Sequence, residues 1–259
     1  MTRRALVVGD RAYDELIDPL VGGLNERGWI VHEVPPRLLA TTTLAVTADE
    51  VWVDGEPLDV VVNRLIPGVR TEDGFAEDDA DFADAEARST LLHALALPGV
   101  VAVNRSDAAG WFAHAEWTVW RRRWQAAGLP VVPLAVGQRP GGFDLWLSWR
   151  GDFLTPPADT AVPVVVAALI AAEGLARVAW CAGQVVSGPA SPAVEAAGRL
   201  FEEYGVVLAG IDVDSRGRLV AATTVPLLDA ADAGTVAGLL AERLDRVDAE
   251  GGRRAVAGR

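Results

Sequence analysis

Two pairs of residues, Asn63-Arg64 and Asn104-Arg105, close apolar runs in nearly the same words, VVVNR and VAVNR. Brought side by side, they would make a clamp for an anion or carboxylate, because each guanidinium offers a fork of donors. The alternative is that Asn and Arg simply end two strands and meet solvent. Between Arg70 and Arg88 lie eight carboxylates: Glu72, Asp73, Glu77, Asp78, Asp79, Asp81, Asp84 and Glu86. They could hold a cation or a basic peptide, or they could be a solvated loop and helix start, where negative charge suits the helix dipole. Their spacing is not that of an EF-hand. Cys181, the single cysteine, excludes an internal disulfide and reads as a small buried hydrophobe.

Composition narrows the chemistry further. The chain has 259 residues, is 51% hydrophobic and carries a formal charge of -13. That length supports a real core, and the charge repels a phosphate backbone, so nucleic acid is not an expected partner. All 23 basic residues are arginine, so any step that requires a lysine is excluded. Met1-Thr2-Arg3-Arg4 leads into a short apolar run rather than a signal-peptide core, and the longest apolar runs fall short of the roughly 18 residues of a membrane span. No membrane partner is expected, and the location expected is the cytoplasm.

The elements that must position these residues follow from periodicity. Ala5 to Val8 is a buried-strand pattern, Leu16, Leu20 and Leu24 recur at helical spacing, Gly28 closes that helix, and Trp29 to Val34 is the next strand. Leu58 to Asn63 and Val100 to Asn104 are two more strands, separated by a helix whose Phe82, Leu91, Leu92 and Leu95 are expected to face inward. In an open parallel sheet, ligands gather beyond the carboxyl ends of the strands, where both Asn-Arg pairs would lie.

The stretch from Ser106 to Gly128 is helical in pattern, with Trp117, Trp120 and Trp124 in a stripe, Trp111 just before it, and Arg121-Arg122-Arg123 on its flanks. Such a stripe is core or a protein interface, and it carries the expectation of a homo- or hetero-oligomer. Gly128-Leu129-Pro130-Val131-Val132-Pro133 leads from a helix cap into an extended strand, and Arg177 to Val186 reads as strand-turn-strand. Ser191-Pro192 starts a helix to Tyr204, with Gly205 just after its end. Gly205 to Ala222 is a hairpin whose turn is Asp214-Ser215-Arg216-Gly217, and Asp232 to Val247 is a last amphipathic helix.

The order β-α-β, a strand ending in Asn-Arg, a helix, Gly-Leu-Pro-Val-x-Pro and a terminal hairpin resembles the ATP-grasp superfamily. It is similar to the branch with ribosomal-protein-S6-type and graspetide (microviridin-like) peptide ligases. The resemblance implies an α/β fold, with an N-terminal doubly wound parallel-sheet lobe over 1–110 and abridged α+β central and C-terminal lobes over 111–247. A flexible tail is expected over 248–259.

The resemblance also implies a hairpin whose strand ends in Glu-x-Asn-Pro and binds Mg²⁺. Aligned from Gly217 to Pro226, the Glu position is Thr223 and the Asn position is Val225. Asp212 remains as the one metal candidate, with Asp214 and Asp229 nearby as substitutes. Asp214 shares a strand face with Asp212 only if no bulge intervenes. The family's two lysines fall at the tryptophan helix and at Leu145 to Trp149, where there is none, and the only nearby glycine cluster is Gly141-Gly142. The hinge strand, Val164 to Ala168, carries no charge, with Asp159 and Glu173 on either side.

The expectation is therefore an ATP-grasp-like protein that has lost Mg²⁺-ATP ligase chemistry, needs no cofactor and serves as a binding or partner subunit in a peptide- or amino-acid-modifying pathway. The alternative is an active carboxylate-amine or carboxylate-hydroxyl ligase, using ATP and Mg²⁺ through an acyl phosphate in a rebuilt site.

Overall fold

The computed structural model describes residues 2–65, 77–97, 100–104, 113–137, 146–147, 153–154, 166–169 and 174–257. The chain divides into two compact units: Met1–Asp107 with Gly205–Leu208 and Leu227–Arg259, and Ala108–Tyr204 with Ala209–Pro226.

The first unit opens with β1 (Arg3–Val8), α1 (Ile17–Glu26) and β2 (Trp29–Val34), followed by a 3-10 helix, Pro36–Thr41. Three short strands, β3 (Leu44–Val46), β4 (Val51–Val53) and β5 (Glu56–Leu58), form a small antiparallel sheet. Then come β6 (Val60–Asn63), α2 (Glu77–Ala96) and β7 (Val101–Val103). The main sheet runs β2-β1-β6-β7, all parallel. Ala5 to Val8 and Val60 to Val62 are all but inaccessible, as expected of parallel strands covered on both faces, whose sequences lose apolar-polar alternation.

The second unit holds α3 (Ala113–Ala126), the short strands β8 (Leu134–Gly137), β9 (Trp146–Leu147), β10 (Phe153–Leu154) and β11 (Val166–Leu169), then β12 (Leu175–Cys181), β13 (Gln184–Ser187), α4 (Pro192–Glu203), β14 (Leu208–Asp214) and β15 (Leu219–Thr223). The strands form two sheets, β10-β9-β11-β8 and β13-β12-β14-β15. Ser191 caps α4 by accepting from Val194 N–H, and Pro192 takes the first helical position, where its missing donor costs nothing. The last helix, α5 (Ala230–Ala257), returns to the first unit.

That return differs from the expected boundaries in two ways. The helix stays regular to Ala257 instead of becoming a tail at 248, and it packs on α1 rather than ending the second lobe. It buries Val236, Leu240 and Leu244 in the first unit's core. Its Asp245 accepts from Arg3 Nη1 at 2.7 Å and from Trp29 Nε1 at 2.9 Å, which ties it to the first two strands. Amphipathic period announces such a helix but does not say which core receives its apolar face.

A second difference is Phe82, expected to face inward and in fact 70% exposed, while Leu91 and Leu95 on the same helix are fully buried. Phe82 sits on the early turns of α2, where acidic residues surround it in sequence and the buried row passes through Ala83 and Ala87 instead.

Two members of the tryptophan stripe, Trp120 and Trp124, go to core. Trp124 is inaccessible and Trp120 is 3% exposed. Trp120 meets Phe201 edge-on with ring centroids 4.2 Å apart, and Trp124 meets the same ring at 6.1 Å. Side chains so enclosed have no surface left to give a partner, which corrects the expectation of an interface through them. Trp111, and the side chain of Trp117, lie outside the described residues.

Candidate functional site

Neighbouring parallel strands bring the two asparagines together. Val62 pairs with Val103, so Asn63 and Asn104 follow at the carboxyl ends of adjacent strands, as the repeated words imply. Their side chains, however, are turned to internal work. Asn63 Oδ1 accepts from Leu65 N–H at 3.0 Å, a local turn. Asn104 takes a left-handed backbone, φ 60°, which asparagine tolerates better than most residues. Its Oδ1 accepts from Val207 and Leu208 N–H, both at 2.9 Å, and its Nδ2 donates to Leu208 O at 2.7 Å. Asn104 thereby docks the chain where it re-enters the first unit.

Arg64 does not reach the rim. Its Nε donates to Asp14 Oδ2 at 2.7 Å and its Nη2 to Asp14 Oδ1 at 3.1 Å, with each side chain 1% exposed. A buried guanidinium needs such a carboxylate, and here the loop after β1 supplies it. The expected anion clamp is therefore an internal ion pair at this position, and Arg105 lies outside the described residues.

The hairpin of β14 and β15 is where chemistry-bearing residues converge. Gly217 closes its turn at φ 73°, and Asp214 Oδ1 accepts from Arg216 and Arg218 N–H at 3.0 and 2.9 Å. Arg218 Nε donates to Asp214 Oδ2 at 2.8 Å. Burial pushes the Asp214 carboxyl up, but the hydrogen bonds from Arg218 and Arg216 and the Arg218 charge outweigh it and hold the pKa below the usual value. Asp214 is thus the turn's own anchor. The register shifts between Asp212, paired with Ala221, and Val213, paired with Leu219, so the extra residue is Val220 on β15 and β14 keeps its own alternation; Asp214 is nonetheless committed to the turn and to Arg218.

Asp212 pairs with Ala221 and Gly210 with Thr223, so Asp212 and Thr223 share one face of the hairpin as diagonal neighbours. This is the face on which the resemblance leads us to expect oxygen ligands for a metal. Arg177 of β12 crosses it: a Cβ built on Gly210 would lie 3.8 Å from Arg177 Cδ, in ordinary contact, while at 3.0 Å from Pro226 Cβ and 3.1 Å from Thr223 Cγ2 it would crowd those two. Arg177 Nε donates to Asp212 Oδ1 at 2.9 Å and Nη2 to Oδ2 at 3.1 Å, with Asp212 8% and Arg177 37% exposed. Thr223 Oγ1 accepts from Val225 N–H at 3.2 Å.

These residues do not fit Mg²⁺, which takes oxygen ligands in near-octahedral geometry and draws on carboxylates. The carboxylate present is engaged by a guanidinium on both oxygens. The second candidate is a neutral hydroxyl, and the third position, Val225, has no polar side-chain atom. Among the described residues no group of three or more His, Cys, Asp or Glu gathers at a single point, and no helix is long and apolar enough to cross a membrane. The segment expected to grip nucleotide, including Gly141-Gly142, Leu145, Trp149, Asp159, Val164 and Glu173, lies largely outside the described residues.

Sequence reasoning missed Arg177 and Arg121. Arg177 interrupts an otherwise apolar strand, LARVAWC, and a charge in such a strand calls for a buried counter-charge. Arg121 is 3% exposed, and its guanidinium donates to Val132 O and Val220 O, which ties α3 to the extended linker and to β15. Desolvation pushes its pKa down to about 10. It came from an arginine triplet that sequence alone could not resolve into core and surface members.

No protein-family profile and no curated protein matches the sequence. Solved structures do. The ATP-grasp ligase PsnB, complexed with a phosphomimetic variant of its minimal precursor, Mg and ADP, superposes with a TM-score of 0.68 at 17% identity, covering 93% of this chain and 97% of that one. The macrocyclase MdnC from Microcystis aeruginosa, bound with the precursor peptide MdnA, gives 0.65 at 11% identity, covering 94% and 99%. D-alanine–D-alanine ligase from Bacillus anthracis, complexed with ATP, gives 0.55 at 12%, covering 96% and 99%. The chain has the ATP-grasp fold, and its TM-scores against PsnB and MdnC exceed that against the D-alanine–D-alanine ligase.

Proposed function

We propose that this chain keeps the ATP-grasp fold without Mg²⁺-ATP ligase chemistry, and serves as a binding or partner subunit in a peptide- or amino-acid-modifying pathway. The observation that carries the reading is the guanidinium of Arg177 on both oxygens of Asp212, on the hairpin face that also holds Thr223. A ligase of this fold drives carboxylate activation with a cation bridging phosphate oxygens. Here a side chain of the protein supplies the positive charge beside Asp212, and a fixed guanidinium cannot bridge phosphates through inner-sphere oxygen bonds as a metal does. The chain also has no lysine with which to hold phosphates. The peptide side of the reading draws on the likeness to PsnB and MdnC, whose structures hold precursor peptides.

Isothermal titration with ATP, with and without Mg²⁺, is the test. The expected result is no Mg²⁺-dependent heat at micromolar ATP; micromolar, Mg²⁺-dependent binding overturns the reading.

One observation favours a second reading, an active ligase with a rebuilt site: Arg177 is 37% exposed and held in a fixed orientation by Asp212, a preorganised cation accessible to a phosphate charge. On that reading ADP release appears with some carboxylic acid substrate and is lost in Arg177→Ala.

A further inference from the structure

The acidic segment at the start of α2 belongs to no site described so far, and its described residues border a groove. The groove has a cavity volume of about 430 Å³ and lies within the first unit, between α2 on one side and the 3-10 helix and β3 on the other. Its floor is apolar: Leu39, Leu44, Ala83 and Ala87. Phe82 stands at its lip, 70% exposed, the most exposed large hydrophobic side chain among the described residues. Among the described residues that line it, the charged ones are Asp79 and Glu86.

The geometry is that of a helix presenting two rows to one groove. Asp79, Ala83 and Ala87 form one i, i+4 row, and Phe82, Glu86 and Thr90 the next. Small residues in the first row make the trough, and the second row makes the wall. Within each row, consecutive members stand about 6 Å apart along the axis, four residues at about 1.5 Å rise each, so the trough complements apolar side chains repeating at i, i+4 on a second helix. The carboxylates of Asp79 and Glu86 then fall beside that helix, where basic side chains would meet them. The neighbouring Arg88 donates from Nε to Asp84 Oδ2 at 2.7 Å.

We infer that this groove receives a cationic amphipathic helical segment of a partner protein, its apolar face on Phe82, Ala83 and Ala87 and its basic side chains on Asp79 and Glu86. Charge selects this occupant over others. A second copy of a chain with net charge -13 would bring acid to acid, and nucleic acid would meet the same repulsion. The inference names the partner class for the binding role proposed above and rests on that role. The groove and the Asp212 hairpin are in different units, so nucleotide and peptide titrations fail independently.

The probe is a capped, alanine-rich helical peptide bearing fluorescein, with Leu at i and i+4 flanked by Arg, titrated by fluorescence anisotropy at low and moderate salt. Binding to the wild-type chain is expected, weakened about tenfold or more by Phe82→Ala and by the double change Asp79→Lys, Glu86→Lys, and absent for the same peptide with Glu in place of Arg. Phe82 is exposed, so Phe82→Ala should melt with the parent, and a melting scan verifies that the comparison is between folded proteins. Three results overturn the inference: no binding at low salt, equal binding to parent and variants, which would be diffuse attraction to an acidic chain, or Phe82-dependent self-association by light scattering, which would make a second copy the occupant.

Discussion

Arg177 lies across the hairpin and closes both oxygens of Asp212, with Nε and Nη2 at 2.9 and 3.1 Å. On the reading proposed above, the pair braces β12 against the hairpin at the position where the family resemblance led us to expect a metal ligand. If the brace is structural, Arg177→Met should lower unfolding stability in urea by about 1–3 kcal/mol, because it leaves a nearly buried carboxylate without its charged partner. Adding Asp212→Asn should recover part of that loss, with a coupling of about 0.5 kcal/mol or more in the double-mutant cycle. Strict additivity would deny the brace.

The Arg64–Asp14 pair predicts a larger effect. Both side chains are 1% exposed, so Arg64→Met strands a carboxylate in the core of the first unit and should cost about 3–5 kcal/mol. Thermal unfolding of the variant measures it; a melting point equal to that of the parent would mean that Asp14 finds water or another donor.

Trp124 is inaccessible and rests on Phe201, so Trp124→Ala should destabilise by about 3–5 kcal/mol through loss of buried area and the cavity left behind. The oligomeric state of the folded protein by light scattering should not change. A shift in that state with little loss of stability would return the tryptophan stripe to an interface role.

The parts legible in the sequence were those fixed by local chemistry. Ser191-Pro192, Gly205 and the Asp214 to Gly217 turn named their elements because capping and positive φ depend on residues a few places apart. The neighbouring ends of β6 and β7 were legible because parallel strands repeat a pattern. What escaped was long-range pairing. Arg177 finds Asp212 at a separation of 35 residues, and Arg3 finds Asp245 at 242. Periodicity gives a helix its faces but not its neighbour, which is why α5 was expected in the wrong lobe and Phe82 in the core. The residue types at Thr223 and Val225 were legible in the sequence, but that the Arg177 guanidinium lies beside Asp212 on the face that holds Thr223 was not.

Asp214 makes a pH prediction. Its folded pKa lies below the usual value, so between that lower value and the unfolded value of about 3.9 the unfolded chain binds more protons than the folded one. The stability it contributes is complete above the unfolded value and is lost as pH falls through the folded one. The melting-point gap between the parent and Asp214→Asn should therefore be constant near neutrality and shrink as pH drops below about 4. A gap that persists unchanged into that acid range would mean that the turn depends on the shape of Asp214 and not on its charge.

On the function proposed, the hairpin face bearing Asp212 does not take a divalent cation with nucleotide. Mn²⁺ can stand in for Mg²⁺, and its electron paramagnetic resonance spectrum separates Mn²⁺ held on a protein from Mn²⁺ tumbling with ATP. Adding the protein to Mn²⁺ and ATP should leave the free Mn²⁺-ATP spectrum unchanged at micromolar protein. A protein-bound Mn²⁺ signal that appears with ATP and disappears in Asp212→Asn would contradict it.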